Sequence, residues 1–224
     1  MRLYLLPAPL SRKAPYWAYP LWAEVAKSLQ HFFVERAARV RFLLEKTGVS
    51  AEAALYEYDP VRGDWPWEAY EKVFTQRAAA GLLTEAGLPG VADPGWSVVR
   101  RAHAEGYTVL PLAGPSSITL ALAASGLAGQ RFTFWGYPPI EKKARRQFLQ
   151  HLYRAARDHT QILMETPARS PQLLQELKET APPTLLLCVA HRLTEEEGFV
   201  RTYPVSQWPP LTLPKGPTLF LMGV

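Results

Sequence analysis

Apolar residues along this chain fall into short runs bounded by turn residues, and between the runs lie stretches whose apolar positions recur at helical spacing. Such runs predict buried strands, and such spacing predicts amphipathic helices. Leu3–Leu6 is a strand closed by Pro7, and Leu21, Val25 and Leu29 mark the helix after it. His31–Glu35 is a second strand; Val40, Leu43 and Leu44 outline a helix that Gly48 stops. Trp67, Tyr70, Val73 and Phe74 define the next helix, Leu82 and Leu83 the next strand, and Val98, Val99 and Ala102 a helix ended by Gly106. Tyr107–Leu112 is the last strand of this half. Strand and helix in alternation imply right-handed crossovers and a mainly parallel sheet.

The second half starts alike and then changes. Ser116 is placed to cap a helix over 117–125, Arg131–Trp135 is a strand, and 141–157 is an amphipathic helix turning Phe148, Leu149, Leu152 and Tyr153 inward. Ile162–Met164 is a strand, and Ser170-Pro171 opens a helix as cap and first-position proline, with Leu173, Leu174 and Leu177 inward. Leu185–Val189, Phe199–Tyr203 and Thr218–Met222 then follow as strands with no long helix between them. The pattern predicts two α/β domains, 1–113 with a mainly parallel sheet and 114–224 with a mixed one.

Two loops stand out. Glu85–Gly95 reads EAGLPGVADPG, long for its place and nearly free of apolar bulk. Gly114-Pro115-Ser116-Ser117 opens the helix of the next crossover. Both are expected at the carboxyl ends of their strands, where open α/β sheets bind ligands. The Asp93 carboxylate suits ribose hydroxyls or an ammonium; equally it suits an Asx-turn that holds the loop itself. The serines and free amides at 116–117 suit an anion or a carbonyl oxygen, and plain capping as well.

Composition narrows the class. An apolar share of 48% with 20% charged residues is that of a globular protein. The single cysteine, Cys188, excludes an internal disulfide and a cysteine-based zinc site, and its apolar run predicts a buried thiol. No apolar run approaches the roughly 20 residues of a membrane span, and the start lacks the apolar core of a signal peptide. A cytoplasmic protein with no membrane partner is expected. No G-x-G-x-x-G follows the first strand, no Walker loop or G-x-S-x-G elbow exists, and the five histidines lack metal-ligand spacing.

A net charge of +5 leans toward polyanionic partners, or toward solubility alone. Lys142, Lys143, Arg145 and Arg146 lie outward on the 141–157 helix, where they serve either phosphate contact or a solvated face. Glu165 and Arg169, in METPARS, place a carboxylate and a guanidinium either at a cleft or in a structural ion pair.

In order along the chain, LYLLPAP, HFFVERAARVRFLL, TEAGLPGVADPG, PLAGPSSITLALAASGL, RFTFWGYPP, METPARS and LCVAHRLTEEEGFVRT resemble the motifs of the tetrapyrrole methylase superfamily. These are S-adenosylmethionine-dependent methyltransferases. Within them the chain is similar to the branch of 16S ribosomal RNA 2′-O-ribose cytidine methyltransferases I and its shorter bacterial relatives. The resemblance spans nearly the whole chain. It implies two α/β domains, S-adenosylmethionine in a cleft between them, and a homodimer.

It also implies cofactor contacts from Pro7, Gly87, Pro89, Val91, Ala92, Asp93, Gly95, Ser116 and Ser117, and from Phe134, Tyr137, Ala190, Leu193, Pro217 and Thr218 in the second domain. Glu35 and Glu165 match positions that suit a proton acceptor, with Arg169 orienting one of them. Departures fall on the acceptor side. Ser11-Arg12 replaces Gly-Asn, Arg36 and Ala37 replace Asp and Thr, His191 and Arg192 replace Arg and Glu, and Glu195 replaces Lys. The expected function is methylation of a ribose 2′-oxygen in ribosomal RNA or the small ribosomal subunit. The alternatives are methylation of a small molecule such as a tetrapyrrole, and a catalytically silent relative that binds cofactor or RNA.

Overall fold

A computed structural model describes residues 1–11 and 20–224. Arg12, one of the departures noted above, lies outside the described residues. The chain divides into two units, Met1–Ser116 and Ser117–Val224.

The first unit is a five-stranded parallel sheet of β1 (Arg2–Leu6), β2 (His31–Val34), β3 (Ala54–Glu57), β4 (Ala80–Leu83) and β5 (Thr108–Pro111), ordered β3-β2-β4-β1-β5. Alternate strand residues face opposite helices, as a period of two requires. Leu6, Phe32, Val34 and Leu83 bury against α1 (Pro20–Lys27) and α2 (Ala37–Lys46). Leu3, Phe33, Ala80 and Leu82 bury against α3 (Trp67–Thr75) and α4 (Trp96–Ala104). Burial from both sides is why β2 and β4 read as unbroken apolar runs.

Two details differ from the sequence pattern. Strand β3 escaped it, because Ala, Leu and Glu are helix formers; pairing with β2 overrides that preference, and its edge position leaves it half exposed. Leu21 is 60% exposed, and α1 turns Trp22 and Ala26 inward instead. Trp22 wins that face because its indole N–H donates to the Pro7 carbonyl at 2.9 Å, which satisfies a buried polar group just past β1.

The second unit is a mixed sheet of β6 (Phe132–Phe134), β7 (Thr160–Glu165), β8 (Leu186–His191), β9 (Phe199–Pro204) and β10 (Thr218–Gly223), ordered β6-β7-β10-β8-β9. Only β6 and β7 pair in parallel; β10 runs antiparallel to β7 and β8, and β9 to β8. One face carries Ile162, Cys188, Ala190, Leu219 and Leu221 under α5 (Ser117–Ser125). The other carries Leu163, Leu187, Val189, Phe220 and Met222 under α6 (Lys142–Ala155) and α7 (Ser170–Thr180). Burial pushes the Cys188 thiol up to about 11, so it stays protonated at neutral pH.

The helix starts follow local hydrogen bonding. Glu141 caps α6 by accepting from the amides of Lys143 and Ala144 at 2.8 and 2.6 Å, and those bonds hold its carboxyl below the usual range. Ser170 does not cap α7 as its sequence position suggested. It is the first helical residue, Arg169 holds the cap position, and the buried Ser170 hydroxyl donates back to the Thr166 carbonyl at 2.9 Å.

Candidate functional site

In the first unit β1 leads to α1 on one face of the sheet, while its neighbour β4 leads to α4 on the other. Loops leaving adjacent strands for opposite faces open a crevice at the carboxyl edge. Here three loops are tied together. Ala8 and Gly87 exchange both backbone hydrogen bonds at 2.9 Å, with Gly87 at φ +80°. Gly114, after β5, lies so close to Pro7 that a Cβ there would sit 2.2 Å from the proline Cβ and 2.4 Å from its Cγ. Only a residue without a side chain permits that approach.

Asp93 organises the long loop. Its Oδ1 accepts from the amides of Gly90 at 2.9 Å and Gly95 at 2.6 Å, the latter at the start of α4. That is an Asx-turn with an added amide, and only half of the carboxylate is used. The Thr84 hydroxyl, the nearby donor, gives its proton to Glu35 Oε2 at 2.8 Å, so Asp93 Oδ2 is buried with no hydrogen-bond partner. Burial pushes the Asp93 carboxyl up, against the pull of the two amides. Ala92 beside it holds φ +59°, a conformation most side chains avoid. Pro89 and Gly95 are buried in the loop, whereas Val91 points outward. Ser116, buried, ends this unit, and Ser117 begins α5.

Glu35 stands just past β2. Its Oε2 takes the Thr84 hydroxyl and the Glu85 amide, the latter at 3.0 Å, and Oε1 has no hydrogen bond among the described residues. Arg36 and Arg39 both pair with Glu85, at 3.4 and 3.1 Å. Thr84 opens the TEAGLPGVADPG motif, but its role was not legible there, since nothing local marks a threonine that reaches a residue 49 positions away.

In the second unit the chain ends of β7, β10 and β8 meet at one edge, where Thr218 lies opposite both Glu165 and His191. Glu165 is 6% exposed, and its Oε1 accepts from the Thr166 amide at 2.6 Å and from Arg169 at 2.7 and 3.0 Å. These donors make Glu165 and Arg169 a clamp between β7 and α7. Thr218 donates to the Gly216 carbonyl at 3.0 Å and therefore accepts from His191 Nδ1 at 2.9 Å, leaving His191 Nε2 buried as an unpartnered acceptor. Burial lowers the His191 pKa, with Arg192 adding to the effect, and keeps the ring neutral. Arg192 and Thr194 beyond it hold φ +47° and +70°. For a β-branched threonine that is strain. Glu165, Arg169, His191, Arg192 and Thr218 were each singled out in the sequence, but nothing in it paired His191 with Thr218.

The six second-unit residues expected at the cofactor separate. Phe134, Ala190 and Leu193 belong to the α5 face, Ala190 without any exposure. Thr218 belongs to the polar row, and Tyr137 and Pro217 are exposed. The Pro217 carbonyl accepts from the Arg192 amide at 2.9 Å. On α6, Lys142, Lys143 and Arg146 are exposed. Arg145 is not outward as its charge suggested: it pairs with Glu176 of α7 at 2.7 Å, its side chain 15% exposed, and also donates to the Ile140 carbonyl. The helix-to-helix pair captures that cation for the fold.

Comparison with known proteins now bears on this geometry. Residues 21–207 match the Tetrapyrrole (Corrin/Porphyrin) Methylases. Proteins named Ribosomal RNA small subunit methyltransferase I are similar to the chain. That of Vibrio cholerae serotype O1 is 27% identical over 92% of this chain and 69% of its own length, and that of Hydrogenobaculum sp. is 26% identical over 90% and 85%. The one from Xylella fastidiosa is 40% identical over 51% of this chain and 41% of its own length. Among solved structures, uroporphyrin-III-C-methyltransferase from Thermus thermophilus shares the fold with a TM-score of 0.57 at 17% identity, over 99% of this chain and 94% of that one. The methyltransferase CobJ does so with 0.59 at 16% identity, over 99% and 92%. With its parallel and mixed sheets and a family match across most of its length, the chain belongs to the tetrapyrrole (corrin/porphyrin) methylases and is a methyltransferase.

Proposed function

We propose that the chain transfers a methyl group from S-adenosylmethionine to a ribose 2′-oxygen of ribosomal RNA in the small subunit. The observation that carries this reading is the half-used Asp93 carboxylate, whose buried Oδ2 lacks a donor in the β4 loop, the loop that Gly87 ties to Ala8 of the β1 loop. A nucleoside with hydroxyls and an ammonium supplies the donors that oxygen lacks, so the residues present fit the cofactor. Pro7, Gly87, Pro89, Val91, Ala92, Asp93, Gly95 and Ser116 are assigned to hold it from the first unit. Ser117, Phe134, Tyr137, Ala190, Leu193, Pro217 and Thr218 are assigned from the second, Ala190 through its backbone. When bound, S-adenosylmethionine supplies a methyl carbon already activated by a sulfonium.

The work left to the chain is alignment, which accounts for large rate factors when reacting atoms are held within near-attack range. Glu35 is assigned as the acceptor of the ribose hydroxyl proton, because Oε1 has no hydrogen bond among the described residues. Glu165 keeps its clamp role with Arg169. Lys142, Lys143 and Arg146 are assigned to RNA phosphates. The acceptor is supported by the names of the similar proteins, a homodimer by the sequence resemblance, and a cytoplasmic location by the single buried cysteine.

The test uses purified protein, labelled S-adenosylmethionine and small ribosomal subunits from cells lacking the gene. Label should appear in a 2′-O-methylated nucleoside. Incorporation into neither subunits nor naked ribosomal RNA defeats the reading. Light scattering reads the dimer directly.

A further inference from the structure

Beside the carboxyl edge of the first sheet lies a cavity of about 190 Å³ that the cofactor reading leaves unused. Its walls are Ala8–Ser11 after β1, Thr84–Ala86 after β4, and the α2 side chains Arg39, Val40, Phe42, Leu43 and Lys46. The lining is largely apolar, yet one stripe of α2 sets Arg39, Phe42 and Lys46 at successive turns. Residues three and four apart share a helix face. Phe42 is 50% exposed, unusual for a phenylalanine on a helix whose neighbouring Val40 and Leu44 are buried. Lys46 Nζ stands 4.5 Å from its ring centroid. A cavity of about 150 Å³ accommodates a benzene ring, so this one has room for a pyrimidine.

We infer that this cavity receives a splayed-out nucleobase of single-stranded RNA, stacked on Phe42, with Arg39 and Lys46 on the flanking phosphates. An aromatic platform between cations is how proteins hold unpaired nucleotides without reading sequence. The charges allow it. Among the described residues Arg39 pairs with Glu85, which Arg36 also serves, and partly exposed pairs of this kind contribute little. Arg39 is therefore released to a phosphate while Arg36 retains Glu85. A base that stacks on Phe42 replaces the cation–ring contact and frees Lys46 in the same way. Thr84 and Glu85 line the cavity and also bond to Glu35, so the base is anchored next to the residue assigned as proton acceptor. The inference rests on RNA being the acceptor and adds the place where the target nucleotide is gripped.

The experiment is fluorescence anisotropy with a short fluorescein-labelled single-stranded RNA and the full chain, beside calorimetry with S-adenosylhomocysteine. Phe42→Ala should weaken RNA binding by about tenfold or more, with Phe42→Trp restoring it, because stacking is carried by any aromatic face. Lys46→Ala should reduce the slope of log affinity against log salt by about one. Cofactor affinity and the circular dichroism spectrum should not move. If the wild type binds and methylates RNA while Phe42→Ala and Lys46→Ala bind it equally well, the base site is wrong and the RNA reading stands. If Phe42→Ala removes cofactor binding, the cavity belongs to the cofactor and the inference fails. If the wild type neither binds nor methylates any RNA, both fall together.

Discussion

Gly114→Ala tests whether the three loops act as one frame. The added Cβ would lie 2.2 and 2.4 Å from two ring carbons of Pro7, and carbon atoms rest about 3.5–4.0 Å apart. The β5 loop must therefore retreat from the β1 loop by roughly 1.3 Å or more, because a pyrrolidine ring cannot rotate away. Overpacking of this kind costs about 1–3 kcal/mol of stability. A shift of about 1 Å in the parts that position a reactant lowers rates by up to about 100-fold. Gly106→Ala is the control: beyond its chain neighbours no atom lies within 4 Å of its Cβ, and at φ +74° it carries only local backbone strain of about 1–2 kcal/mol. Urea unfolding and calorimetry with S-adenosylhomocysteine separate the two variants. Gly114→Ala should lose both stability and cofactor affinity, whereas Gly106→Ala should lose stability alone. Equal cofactor affinity in Gly114→Ala and wild type would refute the argument that contact between Pro7 and Gly114 shapes the site.

Asp93→Asn keeps the acceptor for Gly90 and Gly95 while deleting a carboxylate that burial disfavours, so its stability should match or exceed that of the wild type and its cofactor affinity should fall. Asp93→Ala removes both bonds and should cost about 2–4 kcal/mol; equal chemical-denaturation midpoints for the two variants would contradict this. His191 is buried with a lowered pKa, so below about pH 6.5 the unfolded chain takes a proton that the folded chain refuses. Stability should fall as pH drops through the unfolded value toward the folded one, and the drop should shrink in His191→Gln, read from urea midpoints across that range. Arg145→Ala strands Glu176, 20% exposed, and should cost about 1–3 kcal/mol by thermal unfolding. Charge reversal of Lys142, Lys143 and Arg146 should leave the melting temperature unchanged and weaken RNA binding in anisotropy.

Much of this architecture was legible in the order of residues. A strand buried on both faces has to be apolar throughout, and a helix lying on a sheet has to repeat its apolar residues every turn, so β2, β4, α3, α4, α6 and α7 were each visible from their own residues. The Gly- and Pro-rich stretch 85–95 was legible as a candidate site because such residues seldom gather where nothing approaches the backbone. What stayed hidden depends on partners distant in sequence. The edge strand β3 is made by β2, not by its own composition. Arg145 and Lys143 carry the same charge in the same segment, and only the arrival of Glu176 assigns one to the fold and leaves the other in water. Asp93 lacks a second donor because Thr84 has turned to Glu35, and Gly114 is required because Pro7 occupies the space a side chain needs. Sequence by itself determined most of the elements, the edge strand β3 apart, and the loops that carry the candidate site, since the burial of those elements is written into their own periodicity. Which polar groups are satisfied, which cations are free and where a ring-sized cavity opens were decided only by tertiary structure, because hydrogen bonds and exclusion act between atoms that the chain brings together from far apart.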